Sequence, residues 1–282
     1  MEVIVAISAG FCFGVKRAVE TVQNEMNQPK RPIYTYGPII HNETVVSELE
    51  REGVIAIKED QSVDSLEPGT VIIRSHGVTK EVMDQFSDTK FHVVDATCPF
   101  VLKIHKIVAK YSNDGYHIVI IGDEDHPEVQ GIIGWIFSKK YSVISNEQEA
   151  EALSISKDIP LCIVSQTTFR YIKFHELLEI LENKGYNISA LNTICNATEE
   201  RQKEASQIAS KVDVMLVIGG KNSSNSQKLF DICKKECENT LFIQTKDDFD
   251  LSVLQSIQRV GITAGASTPN KIIEEVQKKC QK

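Results

Sequence analysis

Short apolar runs alternate with amphipathic stretches along almost the whole chain, and that alternation restricts the fold more than any other feature. The runs read as strands: VIVAIS at 3–8, PIYTYG at 32–37, VIAIK at 54–58, TVIIRS at 70–75, FHVVDA at 91–96 and HIVIIG at 117–122. They continue with YSVIS at 141–145, LCIVSQ at 161–166, ISAL at 188–191, VMLVIG at 214–219, LFIQT at 241–245 and VGITAG at 260–265. Between most of them lie stretches of helical period such as PFVLKIHKIVAKYSNDG and FRYIKFHELLEILENKG, each closed by a glycine where a helix ends. Strand–helix alternation builds βαβ units and parallel sheets, so the fold class is α/β.

A repeat divides the alternation. Cys12 in AGFCFGVKRA, Cys98 in DATCPFVLKI and Cys195 in NTICNATEER each stand where a strand ends and a helix begins. The next strand in each case runs into a polar loop: GPIIHNETVV with His41, GDEDHPEVQG with His126, GGKNSSNSQKL with Asn225. A later strand ends in a polar turn: IIRSHGVTKE with His76, IVSQTTFRYI with Thr167, ITAGASTPNK with Ser267. Three positions recurring three times at nearly constant spacing predict three similar α/β lobes, at 13–97, 98–194 and 195–282. The third lobe lacks a last strand, which the N-terminal segment 1–12 is expected to supply. Ligands of parallel sheets collect at the carboxyl ends of strands, where all these residues fall.

Thiolates bind soft metals, and a helix N-terminus favours the anionic thiolate. Pro99 at a first helical position strengthens that placement for Cys98. Three ligands leave one coordination position open, as catalysis requires; zinc and an iron–sulfur cluster both remain possible metals. Any single cysteine here is more simply read as buried packing, a reading that weakens for three in matching contexts. Cys162 lies inside a strand and reads as core. Cys233 and Cys237 share a helix without partner ligands, and Cys280 in the C-terminal tail has no evident role. His92, His105, His117 and His175 fall inside strand or helix patterns, whereas His41, His76 and His126 sit at strand ends and suit binding. KNSSNS and TAGASTP supply hydroxyls, an amide and backbone N–H groups at helix starts, which serve equally as helix caps or as an anion cradle. Glu128 follows His126 by two residues and is placed to move protons.

The net charge of −8 argues against nucleic acid as a partner, and no apolar run reaches membrane-spanning length. MEVIVAISAG lacks a basic leader region, so a reducing cytoplasm is the expected location and the seven cysteines are expected to be free.

Taken together, GFCFGVKRAV, GPIIHN, RSHGV, DATCP, HPEVQG, SQTT, ICNATEERQ, KNSSNS and TAGASTP resemble the 4-hydroxy-3-methylbut-2-enyl diphosphate reductases of the non-mevalonate isoprenoid route, over nearly the whole chain. The resemblance implies a trefoil of three α/β lobes, pseudo-threefold about a 4Fe–4S cluster held by Cys12, Cys98 and Cys195, with one iron free of protein ligands. It implies that His41, His76, His126, Ser223, Ser224, Asn225 and Ser267 hold the diphosphate of an allylic substrate. Thr167 would orient the substrate hydroxyl with Glu128, and Glu128 would supply protons. The products would be isopentenyl and dimethylallyl diphosphate, and the electron donor a small ferredoxin or flavodoxin. On this reading Gly10 and Gly14 admit the backbone close to the cluster and Phe11 and Phe13 keep water away. A diphosphate held without lysine or arginine is unusual; Arg74, Lys221 or protonated site histidines are the available sources of positive charge. Two rivals use the same thiols: a three-cysteine enzyme of the quinolinate synthase kind, and a non-catalytic metal or redox sensor. Glu128 and the SSN run speak against both.

Overall fold

The structure, a computed structural model, describes residues 1–28, 32–58, 61, 63–87 and 90–281. In chain order the elements begin with β1 (Glu2–Val5), α1 (Phe13–Met26), β2 (Ile33–Tyr36), α2 (Glu43–Arg51), β3 (Val54–Ile57), β4 (Thr70–Ile73), α3 (Lys80–Ser87) and β5 (His92–Asp95). There follow α4 (Pro99–Asn113), β6 (His117–Ile121), α5 (Pro127–Ile133), β7 (Tyr141–Ile144), α6 (Glu147–Ala152), β8 (Leu161–Ser165), α7 (Tyr171–Asn183) and β9 (Ile188–Ala190). The chain closes with α8 (Asn196–Ala209), β10 (Val214–Ile218), α9 (Ser224–Glu236), β11 (Thr240–Ile243), β12 (Arg259–Ala264) and α10 (Asn270–Cys280). Every strand expected from the sequence forms, with its ends slightly displaced.

The strands make three four-stranded sheets, ordered β5-β4-β2-β3, β9-β8-β6-β7 and β1-β12-β10-β11. All the pairings are parallel. The three orders are one pattern repeated. In the third sheet β1 takes the place of β5 and β9, pairing with β12 from Glu2 opposite Arg259 to Val5 opposite Ile262. Contacts group the chain into two compact units: Met1–Lys16 with Ile40–Arg51 and Asn196–Lys282, and Arg17–Ile39 with Glu52–Cys195. The first unit holds the third sheet, and the second holds the other two.

Strand side chains alternate between two covered faces, which is why these strands read as unbroken apolar runs. In the middle sheet Val119, Ile121 and Ile163 pack on Phe174, Leu177 and Leu181 of α7. Ile118, Ile120, Cys162 and Val164 pack on α4 and α5 through Ile104, Val108, Val129 and Ile132. The third sheet does the same: Leu216, Ile218 and Ile262 meet Ile272, Ile273 and Val276 of α10, while Met215 and Val217 meet Ala205, Leu229 and Cys233. Cys280 is therefore not a loose tail residue; it ends α10 buried in that core. Among the described residues no helix is long and apolar enough to cross a membrane.

Candidate active site

Cys12, Cys98 and Cys195 occupy one backbone position repeated three times. Each immediately precedes a helix: α1, α4 and α8. Each cysteine N–H donates to a carbonyl just beyond the neighbouring strand: Cys12 to Ala266 at 3.1 Å, Cys98 to Ser75 at 3.0 Å and Cys195 to Thr167 at 3.1 Å. The cysteine carbonyls then start the helices, accepting from Lys16 at 2.9 Å and Leu102 at 3.0 Å in the first two. These three thiols are partly exposed; the other four cysteines are buried, and all seven are free of disulfides. Burial pushes Cys162 and Cys233 up to about 12 and raises Cys280, so those thiols stay protonated. A soft metal group therefore finds its accessible ligands at the helix N-termini. Among the described residues no three His, Cys, Asp or Glu side chains gather round one point as a single metal ion requires. The thiolates of a multi-iron cluster stand further apart than the ligands of one ion.

In the unit that contains β6 and β8, the loops after these strands meet. His126 caps α5, its Nδ1 accepting the Glu128 N–H at 3.1 Å, with Pro127 at the first helical position. That bond uses the Nδ1 lone pair, which puts the ring proton on Nε2 as a donor. Glu128 is only 2% exposed. Its Oε1 accepts from the Thr167 N–H and its Oε2 from the Thr167 hydroxyl, both at 2.6 Å. The His76 ring stands edge-on to that of His126, centroids 5.6 Å apart. Arg74 is buried beside it, Nε donating to the Gly77 carbonyl at 3.4 Å. A side chain on Gly37 would strike its guanidinium, the Cβ falling 2.5 Å from Nη1.

In the unit that contains β10 and β12, Ser223 caps α9. Its hydroxyl oxygen accepts from the Ser226 N–H at 3.3 Å and from the Ser226 hydroxyl at 3.0 Å. Asn225 is 4% exposed, yet neither its carbonyl oxygen nor its amide nitrogen has a partner. The Ser267 hydroxyl donates to the His41 carbonyl at 2.9 Å, and Ser224 is half-buried beside Asn225 on α9. Gly220 lets two loops touch: a Cβ there would lie 2.9 Å from the His41 carbonyl. Lys221 is exposed.

These bonds also correct the register of the repeat. Gly122 and Gly219 both close a strand by donating to the end of the next one, Ile144 and Ile243. Counting from them, His126 matches Ser223 as helix cap, and Glu128 matches Asn225 as second helical residue. The carbonyls that hold the cysteines match Thr167 with Ser75 and Ala266, not with His76 and Ser267. The shielding expected of Phe13 is not found: the ring is 65% exposed. Gly10 has a reason of its own, φ of +103°, which side chains rarely adopt. Sequence reasoning missed Arg17, Arg201 and Glu204, which bind the loops leading to two of the cysteines. Their only signal was charge on the helices that follow Cys12 and Cys195.

A model of the LytB protein family matches residues 3–281. The chain belongs to the LytB family. It is 46% identical over 280 residues to a 4-hydroxy-3-methylbut-2-enyl diphosphate reductase of Caldanaerobacter subterraneus, covering 99% of this chain and 96% of that one. It is 46% identical over 278 residues to the protein of that name from Alkaliphilus oremlandii, covering 98% of each. Among solved structures, the E-1-hydroxy-2-methyl-but-2-enyl-4-diphosphate reductase of Plasmodium falciparum superposes with a TM-score of 0.91 at 30% identity, over 98% of this chain and 86% of that one. A second, (E)-4-hydroxy-3-methyl-but-2-enyl diphosphate reductase, described as the terminal enzyme of the non-mevalonate pathway, gives 0.71 at 39% identity, over 100% of this chain and 99% of the other. LytB-family membership implies an iron–sulfur cofactor, and the three accessible thiols fit one where the four buried thiols do not.

Proposed function

We propose that the chain reduces 4-hydroxy-3-methylbut-2-enyl diphosphate to isopentenyl and dimethylallyl diphosphate. The allylic carbon–oxygen bond breaks, two electrons enter, one proton leaves with the oxygen as water and a second joins carbon. The observation that carries this reading is Glu128, a buried carboxylate with both oxygens bonded to Thr167, in a chain of the LytB family from end to end.

On this proposal Cys12, Cys98 and Cys195 hold a 4Fe–4S cluster with one iron free of protein ligands. When bound, that group supplies the electrons and a Lewis-acidic iron beside the departing hydroxyl. The chain's own residues do the rest. Thr167 donates its hydroxyl proton to Glu128, which leaves its oxygen lone pairs for the substrate's O–H. With Glu128 protonated the line runs the other way: Oε2–H gives its proton to Oγ1, and Oγ1–H gives its own to the leaving oxygen. His41, His76, His126, Ser223, Ser224, Asn225 and Ser267 bind the diphosphate. His126 serves through Nε2–H. Asn225 brings an amide already desolvated and unpaired, so the ligand supplies its first partner. Ser267 turns its hydroxyl away from the His41 carbonyl to serve. A small ferredoxin or flavodoxin in the cytoplasm delivers the electrons. The lobes are 13–97, 98–194 and 195–282, the last completed by 1–12.

Anaerobic turnover of the allylic diphosphate with a reduced dye tests the reading. The protein is expected to be brown, with iron and sulfide in equal amounts, and Cys98→Ser to lose most of both, since an alkoxide replaces a soft thiolate poorly. Colourless protein with stoichiometric zinc, or no conversion of the substrate to isopentenyl and dimethylallyl diphosphate, overturns it.

A further inference from the structure

Six residues, 6–11, carry the chain from β1 to Cys12, and α8 holds Ile7, Ser8 and Gly10 among them. Arg201 is 3% exposed and lies on the helix that starts one residue after Cys195. Its Nε and Nη2 donate to the Ser8 carbonyl at 3.0 and 2.6 Å, and Nη2 also to the Gly10 carbonyl at 2.8 Å. Glu204, a turn further on, accepts from the Ile7 and Ser8 N–H groups, both at 2.8 Å, and from the Ser8 hydroxyl. The loop's acceptors thus go to the guanidinium and its donors to the carboxylate. Burial works to raise the Glu204 pKa, but the bonds from Ser8 and Ile7 and the Arg201 charge more than reverse it, so the carboxyl is ionised. A second loop is held in the same way. Arg17, on α1 just after Cys12, donates to the Thr97 carbonyl at 2.9 Å and the Asp95 carbonyl at 3.1 Å, immediately before Cys98. The loop before Cys195 is pinned by its own Thr193, which exchanges two bonds with the Ser165 backbone, both at 2.7 Å.

We infer that Arg201 with Glu204, and Arg17, are positioning residues for Cys12 and Cys98: the helix following one cysteine fixes the approach to another. A planar fork that reaches two carbonyls is the property that only arginine brings, and a buried guanidinium is costly unless its bonds are used. Every bond of the clamp joins groups of the chain itself, so on this inference it sets the thiols before a cluster arrives. That Cys12 and Cys98 hold the cluster rests on the function proposed above; the clamp itself does not.

Hydrogen exchange on the full-length, metal-free chain separates the two loops. Arg201→Ala is expected to speed exchange at the Cys12 amide about tenfold or more and to leave the Cys98 amide unchanged, and Arg17→Ala to do the reverse. Amides of β6 and β10 report general destabilisation and should not move. Arg201→Lys keeps the charge and loses the fork, so it should behave as Arg201→Ala does; it is also the variant to use if the alanine form fails to fold. After reconstitution with iron and sulfide, both arginine variants should lose iron to a chelator faster than the parent. Faster exchange in both loops and the strands together, in neither loop, or in one loop with parental iron retention overturns the inference. If the parent chain takes up no iron, the proposed function fails, and the exchange pattern alone then decides for or against the clamp.

Discussion

Glu128 and Asn225 stand at the same place in two lobes, second residue of the helix that follows a matching strand, and Thr167 in one lobe is matched by Ala266 in the other. Both are buried. Glu128 has both oxygens bonded to Thr167. Asn225 has neither atom bonded, and the residue matching Thr167 is Ala266, which has no hydroxyl to give. One lobe therefore holds a carboxylate in a finished hydrogen-bond arrangement, prepared to pass a proton along a fixed line. The other holds a desolvated amide without a partner, which on the proposed function the diphosphate completes. Leaving such a group unpaired costs about 1–3 kcal/mol in the free protein, a cost that binding recovers. On the proposed function, a repeat of one fold carries acid chemistry in one copy and anion recognition in another, by the choice of residue at two matched positions.

The largest way to break this contrast is to turn the acid into a second amide. Glu128→Gln keeps the Thr167 N–H bond through its carbonyl oxygen, and its NH2 donates to the Thr167 hydroxyl, reversing that bond. Folding and iron content are expected to be unchanged, with turnover down at least about a hundredfold, the lower range for a general acid. Single-turnover rates under anaerobic conditions measure it. Parental turnover would move the proton line away from Glu128.

The unit that holds Glu128 also buries a histidine whose neutral form makes stability sensitive to pH. His105 packs under the Gly77 turn and α5, stacked on Trp135 at 5.3 Å, and neither ring nitrogen has a partner. Burial lowers its pKa to about 4, with the nearby Asp95 charge opposing. The unfolded chain then binds the proton that the folded chain refuses. Stability contributed by the neutral ring is complete above about pH 6.5 and is lost as pH falls toward 4, by roughly 3 kcal/mol. His105→Phe should flatten that acid limb in urea titrations between these pH values. An unchanged slope would assign the acid sensitivity to other groups.

The strands and their parallel class were legible because burial on both faces writes continuous apolar runs. Three cysteines in matching contexts gave the repeat. Its register was not legible: aligning by residue type put His126 opposite Asn225, although the loops from Gly122 to His126 and from Gly219 to Ser223 are equal in length. Backbone bonds to Ile144, Ile243, Thr167 and Ala266 restore it. Phe13 failed as a shield because position beside a site does not fix the direction of a side chain. Arg17 and Arg201 were invisible because their partners are carbonyls far along the chain, and a carbonyl has no letter in a sequence.

The smallest effect gives the sharpest form of the comparison, because it asks whether Ala266 is what leaves Asn225 open. Ala266→Thr writes the residue that matches it beside Glu128 into the lobe of Asn225, at a partly exposed position. If the matching holds, the new hydroxyl reaches the Asn225 amide as that of Thr167 reaches Glu128. A buried group that gains a hydrogen bond is expected to stabilise the free protein by about 1 kcal/mol, read as a rise in urea midpoint without ligand. The same bond then competes with the ligand. Affinity for inorganic diphosphate should fall about tenfold, and Asn225→Leu, which removes the amide, should lower it by about ten- to a hundredfold without loss of stability. The discriminating result is the sign: Ala266→Thr must raise stability and lower affinity together. A variant that loses both, or that binds diphosphate as the parent does, shows that the amide is not waiting for the ligand, and that the two lobes differ in sequence without dividing the work.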